Sequence, residues 1–195
     1  GFINDIGFDT YQKILNETIA ELKENEFKEL YKGQGETVKE FVRDVQIDTD
    51  FEILFPDNYV NNIAERLSLY QRLSTLTEEA ELTSFETELN DRFGPLPVQT
   101  KDLLDSVRLK WISKTLGLEK VIMKQGKMIC FFIADQRSSY YSSPIFTAVL
   151  QFVQHNAAIC TMKEKETKQG LRLLLTFEKI HSVKNGLRSL QNISS

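Results

Sequence analysis

Between Glu88 and Pro97 the chain reads Glu-Leu-Asn-Asp-Arg-Phe-Gly-Pro-Leu-Pro, and no other run constrains the fold as tightly. Phe93 closes an apolar stripe begun by Leu82, Phe85 and Leu89, whose spacing is helical. Gly94 suits a left-handed helix C-cap, Pro95 prevents the helix from continuing, and Pro97 is able to open the next helix at its first position. Two helices are therefore predicted to meet at a short rigid joint. Such a joint fixes the direction of whatever the first helix carries on its outer side.

That outer side is acidic. From Glu78 to Asp105 eight acidic residues face only Arg92 and Lys101, a net charge of −6 in one window of a chain whose total is −4. At about 100° per residue, Glu81, Ser84, Glu88, Asp91 and Arg92 fall along one flank beside the apolar stripe. A solvated surface is the plain reading of such a face. A flank of acids with one arginine also suits charge-assisted bonds to arginines on a partner. Helix geometry leaves both readings open.

Around this joint the periodicities alternate. Val45, Ile47, Phe51 and Ile53 interleave with polar residues and predict a half-buried strand over 45–55, ended by Pro56. Asp57 or Asn58 is expected to cap the next helix, with Ile63, Leu67, Tyr70 and Leu73 as its inward stripe. Thr77 is expected to cap the acidic helix, and a third helix over 97–116 is stopped by Gly117. Hairpin-like pairs follow at 118–124 with 127–133 and at 158–163 with 171–177. Helices are expected at 144–154 between them and at 180–193 after them.

The first 44 residues read differently. Phe8, Tyr11, Ile14, Leu15, Thr18, Ile19 and Leu22 keep helical spacing behind Asp9, and 23–44 is a charged linker broken at Gly33 and Gly35. No strand precedes those glycines and no Gly-Lys-Ser/Thr follows, so they are a flexible joint and not a phosphate loop. The expected architecture is α+β: a small, mostly antiparallel sheet of four or five strands packed against a helical layer over 45–195, with an N-terminal helical extension over 1–44.

Composition limits the chemistry. A pI near 5.4 lacks the basic footprint of a module that holds phosphate backbone for itself, although Lys110, Lys114, Lys120 and Lys124 keep an accessory nucleic-acid-binding role open as the alternative. Cys130 and Cys160 lie in apolar, strand-like runs, as buried free thiols do. Neither His155 nor His181 has metal-ligand company, and no nucleotide-hydrolysing motif or nucleophile elbow is present, so no catalytic, cofactor or metal residue is expected. The Ser138–Ser143 loop, with Tyr140 and Tyr141, reads as packed on the sheet, and Trp111 as core. No apolar run approaches the roughly 20 residues of a membrane span, and no secretory signal pattern opens the chain, so a cytoplasmic location is expected.

Several motifs agree in order and spacing with one family. Gly1-Phe2-Ile3 through Tyr11-Gln12-Lys13-Ile14-Leu15 resembles the tail of a translocase motor. Arg66-Leu67-Ser68-Leu69-Tyr70-Gln71-Arg72-Leu73, Glu88 to Pro97 and Leu116-Gly117-Leu118-Glu119-Lys120 resemble the terminal domain of the bacterial transcription-repair coupling factors. The hairpins after Val121 match in pattern only.

The resemblance implies a parent that is an ATP- and magnesium-dependent translocase of double-stranded DNA. Such a parent displaces stalled RNA polymerase and recruits the damage-recognition subunit of excision repair. The terminal domain is then a non-catalytic autoinhibitory clamp without a cofactor of its own. Its implied partner is the parent's N-terminal excision-repair-homology module, whose recruiting surface it masks, with no membrane and no direct nucleic acid. By family motif Glu88, Asp91 and Arg92 fall at the contact positions, with Glu81 on the same flank, and Asn90 stands where other members often carry an apolar residue.

Overall fold

A computed structural model of the chain describes residues 40–194; the expected N-terminal helix and most of the linker lie outside them. Eleven elements follow, counting one short 3-10 turn. Strand β1 is Gln46–Thr49, followed by helices α1 (Ile63–Thr75), α2 (Glu79–Phe93) and α3 (Val98–Leu116). Strands β2 (Leu118–Lys124) and β3 (Lys127–Phe132) form a hairpin, and the 3-10 turn Ser139–Ser142 leads into α4 (Pro144–His155). A second hairpin, β4 (Cys160–Thr167) and β5 (Gly170–Phe177), precedes α5 (Val183–Ser194).

The five strands make one sheet in the order β1-β2-β3-β5-β4. Only β1 and β2 are parallel; every other neighbouring pair is antiparallel. Parallel neighbours need a crossover, and here the crossover is the whole helical lobe α1–α3. The expected α+β class with a mostly antiparallel sheet is what forms.

Two buried clusters result, and α3 joins them. Leu103, Leu104 and Val107 from its first half pack with Leu69, Leu73, Leu82, Phe85 and Leu89 of α1 and α2. Leu109 and Leu116 from its second half pack on the inner side of the sheet with Val121, Met128, Cys130 and Leu175, beneath α4 and α5. A helix buried on two sides has little room for charge, so most of the polar groups it buries are tied off, the Ser113 hydroxyl being buried without a hydrogen-bond partner among the described residues. Thr100 donates to Leu54 O at 3.2 Å, Ser106 to Leu103 O at 2.6 Å, and Asp105 pairs with Arg108 at 2.9 Å.

Several local expectations shift. The first strand is four residues, not 45–55, because the chain leaves the sheet after Thr49, and Phe55 turns into the helical cluster. There the Phe55 N–H donates to the Tyr70 hydroxyl at 2.9 Å. Helix α1 is capped by Asn62, whose side chain accepts from Glu65 N, and not by Asp57 or Asn58. Its register consequently turns Leu69 and Leu73 inward and leaves Ile63 52% exposed. Thr77 stands one residue too early to cap α2, and Pro97 is the N-cap of α3 and not its first helical residue. Phe41 and Val42, ahead of the expected boundary at 45, pack against the sheet cluster.

The tyrosine loop behaves as read from the sequence. Tyr140 is fully buried, its hydroxyl donating to Leu116 O, and Tyr141 donates to Ile133 O. Burial pushes both phenols above their ordinary pKa. Leu116 is the last residue of α3, so Tyr140 satisfies one of the carbonyls a helix end leaves unpaired. Gly117 makes this possible. At φ +85° it sits in the left-handed region, and a Cβ there would lie 2.2 Å from the Tyr140 ring. Cys130 and Cys160 are buried free thiols, with Trp111 packed against the helical cluster.

Candidate functional site

The C-terminal tip of α2 is built by a stop signal and two neighbours. Gly94 has φ +88° but ψ −171°, so it adopts the extended mirror region that only glycine uses freely and not the expected left-handed helical cap. Its N–H still closes the last turn on Asn90 O at 2.9 Å. Its carbonyl, swung away from the helix axis, lies 2.8 Å from the Tyr59 hydroxyl, which is shared with Leu89 O at 3.2 Å. The Tyr59 ring also packs on Phe93 at 5.7 Å. The joint is thus pinned from a loop 35 residues upstream.

Of the four expected contact residues, three gather at this tip. Glu88 receives a forked pair of bonds from Arg72 of α1, the Nη2–Oε1 bond being 3.2 Å. Arg92, one turn on, lies 3.6 Å from the same carboxylate and donates to Glu65, also on α1. The result is a ladder of alternating charge, Glu65, Arg92, Glu88, Arg72, stitched across two helices. Each guanidinium also covers an aromatic ring, Arg72 over Phe85 at 5.3 Å and Arg92 over Phe93 at 4.8 Å. The Arg72 hydrogen bond holds the Glu88 carboxyl below its ordinary pKa, outweighing the opposing effect of partial desolvation.

The ladder remains open to solvent. Side-chain exposures are 34% for Glu65, 43% for Arg92, 38% for Glu88 and 48% for Arg72. Asp91 stands beside it, exposed and with no hydrogen bond or ion pair among the described residues. Asn90 is exposed as well.

Glu81 does something different. Its carboxylate folds back to accept from the Thr77 N–H at 3.2 Å and the Thr77 hydroxyl at 3.1 Å, closing the start of α2. It lies at the opposite end of the helix from the tip. Three of the eight acids of the −6 window are answered by arginines: Glu88 by Arg72 and Arg92, and Glu79 and Asp105 by Arg108. Arg108 of α3 binds both oxygens of Glu79 and pairs with buried Asp105, locking α2 to α3.

Arg72, Glu65 and Tyr59 were not expected at this site. Each is far from the tip in sequence: Arg72 and Glu65 reach Glu88 and Arg92 because α1 packs alongside α2, and Tyr59 reaches the Leu89 and Gly94 carbonyls from the loop before α1. Arg72, next to last in the motif run 66–73, was the one available signal.

The four lysines of the alternative reading do not converge. Lys110 is buried on α3, Lys114 pairs with Glu40 at 3.3 Å, Lys124 pairs with Asp48 at 3.1 Å, and Lys120 lies over the Phe131 ring at 5.6 Å. No described helix is long and apolar enough to cross a membrane.

A one-sided sheet with a helical crossover lobe that ends in a salt-bridged, solvent-facing helix tip defines an α+β domain, and comparison with known proteins places it further. The chain carries a TRCF domain and belongs with the transcription-repair coupling factors. Residues 49–143 match the family model of the TRCF domain. The transcription-repair-coupling factor of Rickettsia conorii is 34% identical over 153 residues, which are 78% of this chain and 12% of that protein. Its Escherichia coli counterpart is 30% identical over 122 residues, 62% of this chain and 10% of that protein. The chain therefore spans about a tenth of the length of these relatives. A crystal structure of a C-terminal domain of transcription-repair coupling factor superposes with a TM-score of 0.57 at 16% identity, covering 77% of this chain and 94% of that one, a likeness of fold.

Proposed function

We propose that this chain is the non-catalytic, autoinhibitory terminal module of a transcription-repair coupling factor, a removable cover over the repair-recruiting surface of the parent's N-terminal excision-repair-homology module. The parent is then an ATP-driven double-stranded DNA translocase that displaces stalled RNA polymerase and recruits the damage-recognition subunit, with ATP and magnesium held in the motor. The observation that carries this reading is the α2 tip. Asp91 stands exposed, unpaired among the described residues, beside Glu88 and Arg92, on a helix end held by Gly94 and Tyr59.

A cover must come off. Contacts made by solvent-facing charges give orientation and salt sensitivity without the large apolar seam that would resist opening. The ladder supports this in a further way. Glu88 and Arg92 already have partners on α1, so docking exchanges one set of ion pairs for another and its net gain is small. Arginines on the docking partner would take Asp91 first and share Glu88 with Arg72. The test is binding of the isolated N-terminal module to wild type and to Glu88→Ala/Asp91→Ala. Weaker, still salt-sensitive binding by the variant is expected, and equal affinity would remove the site assignment.

A further inference from the structure

We infer that the outer face of the β-sheet is a second docking surface, one that takes an amphipathic helix whose apolar stripe is flanked on both sides by acidic residues. This surface is separate from the α2 tip and independent of the clamp reading.

The pleat sorts the strands into two faces. On one, Val121, Met128, Cys130, Leu175 and Phe177 belong to the buried cluster under α3, α4 and α5. The register places the intervening residues on the other face, where Ile122 pairs with Ile129, and Phe131 with Leu174. Ile122, Ile129 and Phe131 are part-exposed and lie outside both buried clusters, and Leu174 beside them is 8% exposed and forms the floor of the strip. The strip they form lies on the three central strands β2, β3 and β5, about 10 Å wide at the usual strand spacing. That matches the diameter of one helix, about 10–12 Å with side chains. An apolar sheet face of this kind is ordinarily covered by another layer.

Charge decides what the cover is. The alternation Lys163-Glu164-Lys165-Glu166 in β4 puts both lysines on the outer face, since Met162 of the opposite parity packs into the inner cluster. On the other side of the strip stands Lys120 of β2, while Lys124 of the same strand is paired with Asp48 and Arg172 of β5 with Glu119. Lys120, Lys163 and Lys165 have no carboxylate partner among the described residues. A chain with net charge −4 thus turns a cationic face outward, with positive charge on both sides of an apolar strip. A helix lying along the central strands would place its leucine-like stripe on Ile122, Ile129 and Phe131, and its two flanks against β2 and β4.

Single-stranded nucleic acid fits less well. Sheet platforms for bases rely on free aromatic faces. Among the described residues Phe131 is the one aromatic on this face, and Lys120 and Arg172 each already lie 5.6 Å from its ring centre.

The test uses the 195-residue chain and three labelled probes: an 18-residue synthetic helix of leucine stripe and glutamate flanks, the same peptide with lysine in place of glutamate, and a 20-nucleotide oligo-dT. Anisotropy should show binding of the acidic peptide and not of the basic one. Amide shifts should centre on Ile122, Ile129, Phe131 and Thr176. Lys163→Glu/Lys165→Glu, two exposed positions whose change leaves the fold intact by circular dichroism, should weaken binding roughly ten-fold. Any of four results overturns the inference: no binding of the acidic peptide, equal affinity of the variant, shifts centred elsewhere, or tighter binding of oligo-dT. Doubling of the chain's mass as its concentration is raised, abolished by the same variant, would reassign the face to self-association and overturn it as well.

Discussion

The guanidinium of Arg72 grips both oxygens of the Glu88 carboxylate across the α1–α2 interface, so a residue expected to serve a partner already serves the fold. Arg92 and Asp91 flank that pair on the same helix end, one engaged with Glu65 and one free of any described partner. The two roles of the tip, holding α2 on α1 and meeting a partner, are therefore divided among neighbouring side chains and are separable by mutation.

Asp91→Ala is expected to change stability by no more than about 0.5 kcal/mol, as an exposed substitution with no partner lost. Glu88→Ala is expected to cost about 1 kcal/mol, because Arg72 and Arg92 lose their shared acceptor while remaining partly solvated. Urea denaturation of the two single variants checks the contrast. Equal losses would show that the Arg72–Glu88 pair contributes nothing to holding α1 on α2.

The same pair sets a pH dependence. Glu88 titrates below its ordinary value in the folded chain because of the Arg72 hydrogen bond, so the stabilisation is complete above the unfolded glutamate pKa of about 4.3. It is lost as pH falls through the lowered folded value. Comparing wild type with Glu88→Gln by thermal melting, the gap in Tm should be present at pH 7 and narrow toward pH 3. A gap that is the same at both pH values would contradict the assignment.

Tyr59→Phe removes the hydroxyl shared by Gly94 O and Leu89 O and is expected to cost about 1–2 kcal/mol. The loss should be local. Amide exchange near residues 89–94 is expected to quicken more than exchange in β3, which sits in the other buried cluster.

Two glycines share a positive φ but differ in ψ and in surroundings, Gly94 lying in the extended mirror region and Gly117 in the left-handed helical one. Gly94→Ala meets no atom within 4 Å and pays only backbone strain, about 1–3 kcal/mol. Gly117→Ala would push a methyl into the buried Tyr140 ring, so it is expected to be the more damaging by a clear margin, with Tm of the two variants as the measure.

Much of this molecule was legible beforehand because its signals are local. The hairpin about Gln125-Gly126, the stop at Gly117, the stripe Leu82, Phe85, Leu89 and Phe93, and the buried tyrosine loop each follow from periods and turn chemistry within a few residues. Errors fell where a distant element intervened. The strand from Val45 ended early because Phe55 found Tyr70 and Phe85, and α1 rotated Ile63 outward because Asn62 and not Asp57 capped it.

From the residues alone came an acidic helix, a rigid joint after Phe93 and an α+β class, since periodicity and capping act over one or two turns of chain. Only the packed structure decided that Glu88 and Arg92 are answered by Arg72 and Glu65, that Lys110 is buried, and that Lys163 and Lys165 share an open face with Phe131. Pairing between charges depends on which helices lie side by side and which way each strand faces. Those relations are set by burial of the whole core, not by spacing along the chain.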